Sequence, residues 1–96
     1  MMTKAQFMYL LQNLSSIYKI GLSDKQKKDI WCAMRNEKPI LFIGEGNTGK
    51  TVLAKELQKY GITAYAPEMV STILLGDKKP KDMREITGLT QLSTYE

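Results

Sequence analysis

The sequence contains no histidine and a single cysteine, Cys32. A lone cysteine has no partner for a disulfide within the chain, and a structural zinc site needs more cysteine or histidine ligands than the chain offers. We therefore expect a reduced, cytoplasmic protein. Long apolar runs are also absent, and no basic segment followed by an apolar one opens the chain, so neither a membrane span nor a secretory signal is predicted.

The remaining composition is that of an ordinary globular protein. Apolar residues make up 43% and charged residues 25% of the 96 residues, which is enough for one compact domain with a modest core. The net charge of +4 permits an anionic partner, nucleic acid included, without requiring one. Composition therefore leaves the function open.

One motif narrows the choice. Residues 44–51 match the phosphate-binding pattern G-x-x-x-x-G-K-[ST] at every fixed position, and they are Gly44, Glu45, Gly46, Asn47, Thr48, Gly49, Lys50 and Thr51. The apolar run at residues 39–43 before it is typical of a buried parallel strand, and residues 52–60 after it have the pattern of a helix. Strand, glycine-rich turn and helix form the context that this motif needs.

The motif predicts a site for a nucleoside triphosphate, ATP or GTP, together with Mg²⁺. Its glycines let the main chain approach the phosphates, and the amides from about Glu45 to Thr51 are expected to form a nest of donors. The N-terminus of the following helix adds partial positive charge. We expect Lys50 to reach the β- and γ-phosphates and Thr51 to ligate Mg²⁺, with Val52 as the last residue of the nucleotide site.

Two helices are predicted ahead of the motif. Apolar residues at helical spacing indicate a helix from residue 3 to about 19, ended by Gly21, with a buried face formed by Phe7, Leu10, Leu11, Leu14 and Ile17. Ser23 with Gln26 forms a candidate capping box, so a second helix is expected from there to about residue 36.

Further elements are predicted after the motif. Residues 62–66 indicate a second strand that pairs in parallel with the first, and a helix is expected from residue 67 up to Gly76. A short helix is predicted over residues 82–87, ended by Gly88. Residues 91–95 form either a third strand or a frayed end.

These elements predict an α/β fold of a reduced phosphate-loop type. We expect a short parallel sheet of two or three strands, flanked by helices, with two helices at the N-terminus. The chain is predicted to form one small domain over residues 1–96. Its helical part covers residues 1–37 and its nucleotide-binding core residues 38–96.

Hydrolysis of a nucleotide also needs a carboxylate for Mg²⁺ and the attacking water. Glu68 is a candidate catalytic residue because it follows the second predicted strand, at the sheet edge that faces ligands in parallel α/β folds. Its structural alternative is a first-turn helix carboxylate. Asp77 follows the apolar run at residues 73–75 and is a second candidate, although the same run also fits the end of a helix. Glu96 is a third candidate.

Three further features have both a functional and a structural interpretation. The side-chain amide of Gln26 has the donor and acceptor needed to read an adenine edge, or it closes the capping box. Trp31 and Tyr65 either stack on a base or belong to the core and its rim. The densest basic run is either a nucleic-acid contact or a solvated loop, and it comprises Lys78, Lys79, Lys81 and Arg84.

Residues 39–70 resemble the phosphate-loop NTPase superfamily. Within it, residues 44–51 look most like the loop of the superfamily 3 helicases of viruses, phages and plasmids, and residues 65–70 are similar to the segment after that loop in phage primase-helicases. The resemblance implies ATP binding with Mg²⁺ and a role in DNA replication. Because those helicases work as hexameric rings, it also implies a homo-oligomer or a protein partner.

Two weaker resemblances keep other functions open. Residues 22–26, the loop and residues 66–67 resemble the opening of superfamily 1 helicases, in which a glutamine reads adenine. The position of Glu68 is similar to that of a glutamate in small-metabolite kinases. We thus weigh a phage-type ATP-binding protein with weak ATPase activity when assembled, a non-enzymatic interaction or inhibitor protein on a reduced NTPase fold, and a remnant of a small-molecule kinase.

Overall fold

The structure, a computed structural model, describes residues 2–45, 49–68 and 82–91. Within these ranges the chain forms three helices and four strands, so the predicted α/β class is confirmed. The helices are α1 (Lys4–Tyr18), α2 (Asp24–Arg35) and α3 (Lys50–Gln58), and the strands are β1 (Ile20–Gly21), β2 (Ile40–Gly44), β3 (Ala64–Tyr65) and β4 (Arg84–Gln91).

The two N-terminal helices begin at capping boxes, one of them at Thr3. At the start of α2 the hydroxyl of Ser23 accepts from the amide of Gln26 at 3.1 Å, and the side-chain oxygen of Gln26 accepts from the amide of Ser23 at 2.6 Å. These reciprocal bonds satisfy amides that the helix itself leaves unpaired, and they confirm the predicted start of α2. The predicted end of α1 at about residue 19 is confirmed, because Tyr18 is its last residue and Lys19 is the C-cap (φ 57°). The predicted role of Gly21 in ending this helix is wrong, because Gly21 lies in β1.

The strands form a mixed sheet with the order β1-β4-β2-β3. β2 lies between two parallel neighbours, β3 on one side and β4 on the other, while β1 is antiparallel to β4. The parallel pairing of the first two predicted strands is confirmed, with Ile40 opposite Ala64. The sheet exceeds the two or three parallel strands that the sequence predicts because β1 and β4 carry no clear strand pattern.

β4 replaces the short helix predicted over residues 82–87. Ile86 lies opposite Phe42 and Leu89 lies opposite Gly44, so β4 has one more residue than β2 between these pairs. Gly88 supplies the extra residue with φ 81°, a conformation that glycine adopts without the steric cost of a Cβ. The glycine predicted to cap a helix is therefore part of a bulge, and pairing with β2 overrides the local helical preference.

The core lies between the helices and one face of β2. Ile40 and Phe42 point to the same face because side chains alternate along a strand, and both are fully buried in one cluster with residues of all three helices. Trp31 is buried there against Phe7, with ring centroids 5.5 Å apart, so its base-stacking interpretation is wrong. Ile17, predicted for the core, is 66% exposed in the last turn of α1.

Several predictions concern residues outside the described ranges. Pro67 and Glu68 begin a helical turn after β3, as expected, but the remainder of that predicted helix and Asp77 lie outside the described residues. The same holds for three lysines of the basic run and for the tail, namely Lys78, Lys79, Lys81 and residues 92–96. In the part of the chain that the structure describes, no helix is long and apolar enough to cross a bilayer.

Candidate functional site

The phosphate-binding motif begins at the carboxyl end of β2. This strand has β3 on one side and β4 on the other, so the strand order switches direction at β2. In open α/β sheets the ligand crevice forms outside the carboxyl ends of the strands at such a switch point. Gly44 is the last residue of β2 and Gly49 is the N-cap of α3. The described parts of the motif thus lie where this fold class holds ligands, while Gly46, Asn47 and Thr48 lie outside the described residues.

Two motif glycines stand where a side chain would be unfavourable, for different reasons. A Cβ on Gly44 would clash with the carbonyl oxygen of Leu89 and lie 2.8 Å from the Leu89 Cβ, because β2 and β4 approach closely there. Gly49 has φ 80°, and a Cβ on it would lie 3.0 Å from Cγ1 of Ile20. Packing against main chain therefore requires glycine at position 44, whereas at position 49 the positive φ favours glycine, in addition to any approach of a phosphate.

Lys50 lies over the beginning of the loop. Its ammonium donates to the carbonyl oxygen of Gly44 at 3.1 Å and to that of Glu45 at 2.6 Å, which fixes a positive charge at the end of β2. The main-chain amide of Glu45 donates to the carbonyl of Leu89 at 3.3 Å. In the structure this amide extends the pairing of β2 with β4, and a nest of amides from about Glu45 to Thr51 stays a prediction.

The side chains of Thr51 and Glu68 are in contact. The hydroxyl of Thr51, in the first turn of α3, donates a hydrogen bond to Oε2 of Glu68, which lies three residues after the end of β3 in a helical turn. That bond is the main reason why the pKa of Glu68 is lowered. A hydrogen bond with the main-chain amide of Glu68 is the next cause, as expected for a carboxylate in the first turn of a helix, and the charges of Lys50 and Lys55 lower the pKa further. The structure thus brings together the predicted Mg²⁺ ligand and the first-choice carboxylate, with Glu68 in its ionised form.

Replacing Thr51 with valine is expected to raise the pKa of Glu68 towards the ordinary range of a glutamate. The hydroxyl that stabilises the charged carboxylate is lost, while the shape of the side chain is kept. Because the pKa of Glu68 in the folded protein is lowered, its contribution to stability is present above the unfolded-state pKa and lost as the pH falls through the folded-state pKa. The measurement is an acid titration of the Glu68 carboxyl carbon by NMR.

Thr63→Val is the matched control for this titration. Thr63 is exposed and precedes β3, at the end of that strand opposite to Glu68. We expect it to leave the pKa of Glu68 unchanged. An unchanged pKa in Thr51→Val as well would contradict the contact between Thr51 and Glu68.

The donors at this point fit a magnesium ion that arrives with a nucleotide. Mg²⁺ prefers oxygen ligands, and it is usually held by one or two carboxylates, by phosphate oxygens and by water. The hydroxyl of Thr51 and the carboxylate of Glu68 are two such oxygens. The described residues contain no group of three or more histidine, cysteine, aspartate or glutamate side chains that could hold a metal ion.

The side-chain amide of Gln26 is bonded at both ends. Its oxygen accepts from the amide of Ser23 in the capping box, and its nitrogen donates to the carbonyl oxygen of Thr87 at 2.7 Å. The structural interpretation of this glutamine is confirmed, and it links α2 to β4. Reading of an adenine edge by Gln26 stays a prediction that requires one of these two bonds to break.

Two other predicted contacts are placed away from the motif. Arg84 donates to Asp29 of α2 at 2.9 Å, and the pKa of Asp29 is lowered, first by its hydrogen bond with Lys25 and further by Arg84. The guanidinium therefore ties β4 to α2. Tyr65 is half-buried in β3 and lines a recess with Gln58, at the carboxyl end of α3, whereas the motif lies at its amino end.

The end of α1 lies against the motif, a contact that the sequence does not predict. A Cβ on Gly49 would come within 3.1 Å of Cδ1 of Ile20 and 3.7 Å of the carbonyl oxygen of Tyr18. No periodicity or motif connects residues so far apart in the chain. The position of Tyr18 in the last turn of an otherwise amphipathic helix is the one signal that the sequence carries.

Comparison of the chain with protein families, with curated proteins and with solved structures found no match. The assignment of the site therefore depends on the motif residues, on the strand order around β2 and on the contacts of Lys50, Thr51 and Glu68.

Proposed function

We propose that this chain binds a nucleoside triphosphate, ATP or GTP, with Mg²⁺ at residues 44–51. The observation that carries the proposal is the joint position of Lys50, Thr51 and Glu68 at the carboxyl end of β2. A cation, a hydroxyl and an ionised carboxylate there are the groups that a magnesium–triphosphate requires. The placement of β2 between two parallel strands supports a ligand crevice at the same point.

Each of the three side chains has a distinct role in this proposal. Lys50 exchanges the carbonyl oxygens of Gly44 and Glu45 for phosphate oxygens, which accept a hydrogen bond more strongly because they are charged. Thr51 offers its hydroxyl to Mg²⁺, and Glu68 binds the ion or its water. The N-terminus of α3 contributes further main-chain donors, since the first amides of a helix have no acceptor within it.

Within this function we favour a reduced phosphate-loop NTPase of the superfamily 3 helicase type, acting in the cytoplasm in DNA replication. Hydrolysis would be slow in the isolated chain and faster in an assembly, because a neighbour can supply the charge that stabilises the transition state. Glu68 and Asp77 are the carboxylates proposed for this step. The lysines at 78, 79 and 81 are a proposed contact with nucleic acid.

A non-enzymatic interaction protein is the second candidate. The observation that favours it is the exposure of large apolar side chains on α1, where Tyr9 is 70% exposed and Ile17 is 66% exposed. Tyr9 also lines a recess with Ala5 and Met8 of the same helix, and a contiguous apolar surface of this kind suits a protein partner. In this case the nucleotide is bound without turnover, so the release of inorganic phosphate by the purified chain separates the two candidates.

Calorimetric titration tests the proposed binding. We expect Mg-ATP or Mg-GTP to bind saturably, with a single nucleotide per chain, and more weakly when Mg²⁺ is removed by a chelator, since Thr51 and Glu68 then lose the ion they are proposed to hold. Absence of saturable binding at millimolar nucleotide would end the proposal. Equal affinity for the nucleotide with and without Mg²⁺ would contradict the proposed role of Thr51 and Glu68 in holding the ion.

A further inference from the structure

An aromatic side chain lies next to the first turns of α3. The main chain of Tyr18 is close to Gly49, at the N-cap of that helix, and its hydroxyl donates to Oε2 of Glu56 at 3.2 Å. Gly49 and Glu56 are separated by about two helical turns, roughly 10 Å along the axis. The ring of Tyr18 therefore extends alongside α3 from the loop towards Glu56.

The same surface carries a second exposed apolar side chain. Val52 follows directly after Thr51 and lies on the same side of α3 as Glu56, four residues later. Tyr18 and Val52 are each 37% exposed, although the neighbouring Leu53 and Ala54 are fully buried. An aromatic ring and an aliphatic side chain thus face solvent beside the residues proposed to hold phosphate.

The strand order indicates which part of a nucleotide would reach this surface. Glu68 follows β3, on one side of β2, whereas Ile20 and the end of α1 belong to the side of β4 and β1. Groups that hold Mg²⁺ contact the β- and γ-phosphates. If that end of the nucleotide lies towards β3, the nucleoside leaves the loop towards the opposite side, where α1 ends.

We infer that Tyr18 and Val52 form the surface on which the nucleobase packs, with the ring of Tyr18 stacked on the base. This inference rests on the proposed nucleotide binding and adds the residues that recognise the nucleoside. The hydrogen bond to Glu56 restrains the ring before the ligand arrives, which reduces the entropy lost on binding. Every base has a π-face, so stacking on Tyr18 favours ATP and GTP alike.

The test compares Mg-ATP with magnesium tripolyphosphate, which has the phosphates but no nucleoside. In calorimetric titrations, Tyr18→Ala is expected to weaken Mg-ATP binding by roughly five- to a hundredfold, the range measured for loss of an aromatic stacking partner. Binding of tripolyphosphate is expected to stay the same. Tyr18→Phe keeps the ring without the hydroxyl and is expected to retain most of the affinity for Mg-ATP.

Tyr60→Ala is the matched control, since Tyr60 is exposed beyond the carboxyl end of α3. We expect it to change neither affinity. The role of Tyr18 would be overturned if Tyr18→Ala lowered the affinity for both ligands equally, or lowered neither affinity. It would also be overturned if Tyr18→Phe lowered the affinity for Mg-ATP as much as Tyr18→Ala does. If the parent protein bound neither Mg-ATP nor tripolyphosphate, the proposed function itself would fail. Binding of both ligands with no effect of Tyr18→Ala would leave that function intact and remove only the stacking surface.

Discussion

Lys50→Ala is expected to lower the affinity for Mg-ATP by roughly ten- to a hundredfold, the effect of losing a hydrogen bond to a charged group. The ammonium already lies at the end of β2, held by the carbonyl oxygens of Gly44 and Glu45. A triphosphate placed on the loop would meet this cation without a large movement of the chain. Calorimetric titration of the parent and the variant measures the loss directly.

Lys38→Ala is the control that separates this effect from a change in net charge. Lys38 is exposed and lies just before β2, at the end of the strand opposite to Lys50. Both variants remove a single positive charge, so long-range attraction of the nucleotide falls similarly in both. If Lys38→Ala weakened binding as much as Lys50→Ala, the loop would have no special role for its lysine.

Gly44→Ala is expected to destabilise the folded protein by about 3 kcal/mol, because the added methyl group overpacks a site that has no room for it. The clash is with main chain, the carbonyl oxygen of Leu89, so no side chain can rotate away to relieve it. β2 and β4 must then move apart at the point where the loop begins. Urea denaturation of the parent and the variant measures the difference in the free energy of unfolding, provided that this free energy falls with urea concentration at the same slope in both proteins.

Gly61→Ala is the control that measures the stability lost when glycine is replaced at a position where only the backbone conformation, and not the available space, favours glycine. Gly61 has φ 80°, but a Cβ placed on it would meet nothing within 4 Å. We expect this variant to lose about 1 kcal/mol, the cost of holding an alanine in the left-handed region. A loss in Gly44→Ala no greater than that in Gly61→Ala would contradict the close approach of β2 and β4.

The elements that the sequence predicts well are those fixed by local chemistry. The capping box of Ser23 and Gln26 sets the start of α2 through bonds between residues three apart, and the apolar run at residues 39–43 marks β2. Such signals depend on few long-range contacts. The role of Trp31 could be assigned only from the tertiary structure, because its packing against Phe7 is what distinguishes a core ring from a ring that contacts a ligand.

The sequence does not predict β4, and the reason is physical. Arg84 and Glu85 are good helix formers, and Gly88 resembles a helix cap, so local preference favours a helix there. The strand exists because β2 offers a parallel partner on its free side, with Ile86 opposite Phe42. Strand pairing of this kind depends on residues more than forty positions apart, which no local pattern contains.

The candidate site was predictable in part. Lys50 and Thr51 follow from the motif, and Glu68 follows from its place after a strand whose carboxyl end meets the same edge of the sheet. The contact of α1 with the loop was not predictable. It brings Gly49 close to Tyr18 and Ile20, which are far away in the sequence, and no local pattern records such a contact. Of the two residues proposed for the nucleobase, Val52 adjoins the motif and is expected from the sequence, whereas Tyr18 is indicated by the structure alone.

A crystal structure of the chain with Mg²⁺ and a non-hydrolysable ATP analogue tests the central claim most directly. We expect density for the phosphates at residues 44–51, with the ammonium of Lys50 moved from the carbonyl oxygens of Gly44 and Glu45 to phosphate oxygens, and the hydroxyl of Thr51 turned from Glu68 to the magnesium ion. Crystals grown at millimolar analogue that show no phosphate density, with Lys50 still on those carbonyl oxygens and Thr51 still on Glu68, would contradict the claim.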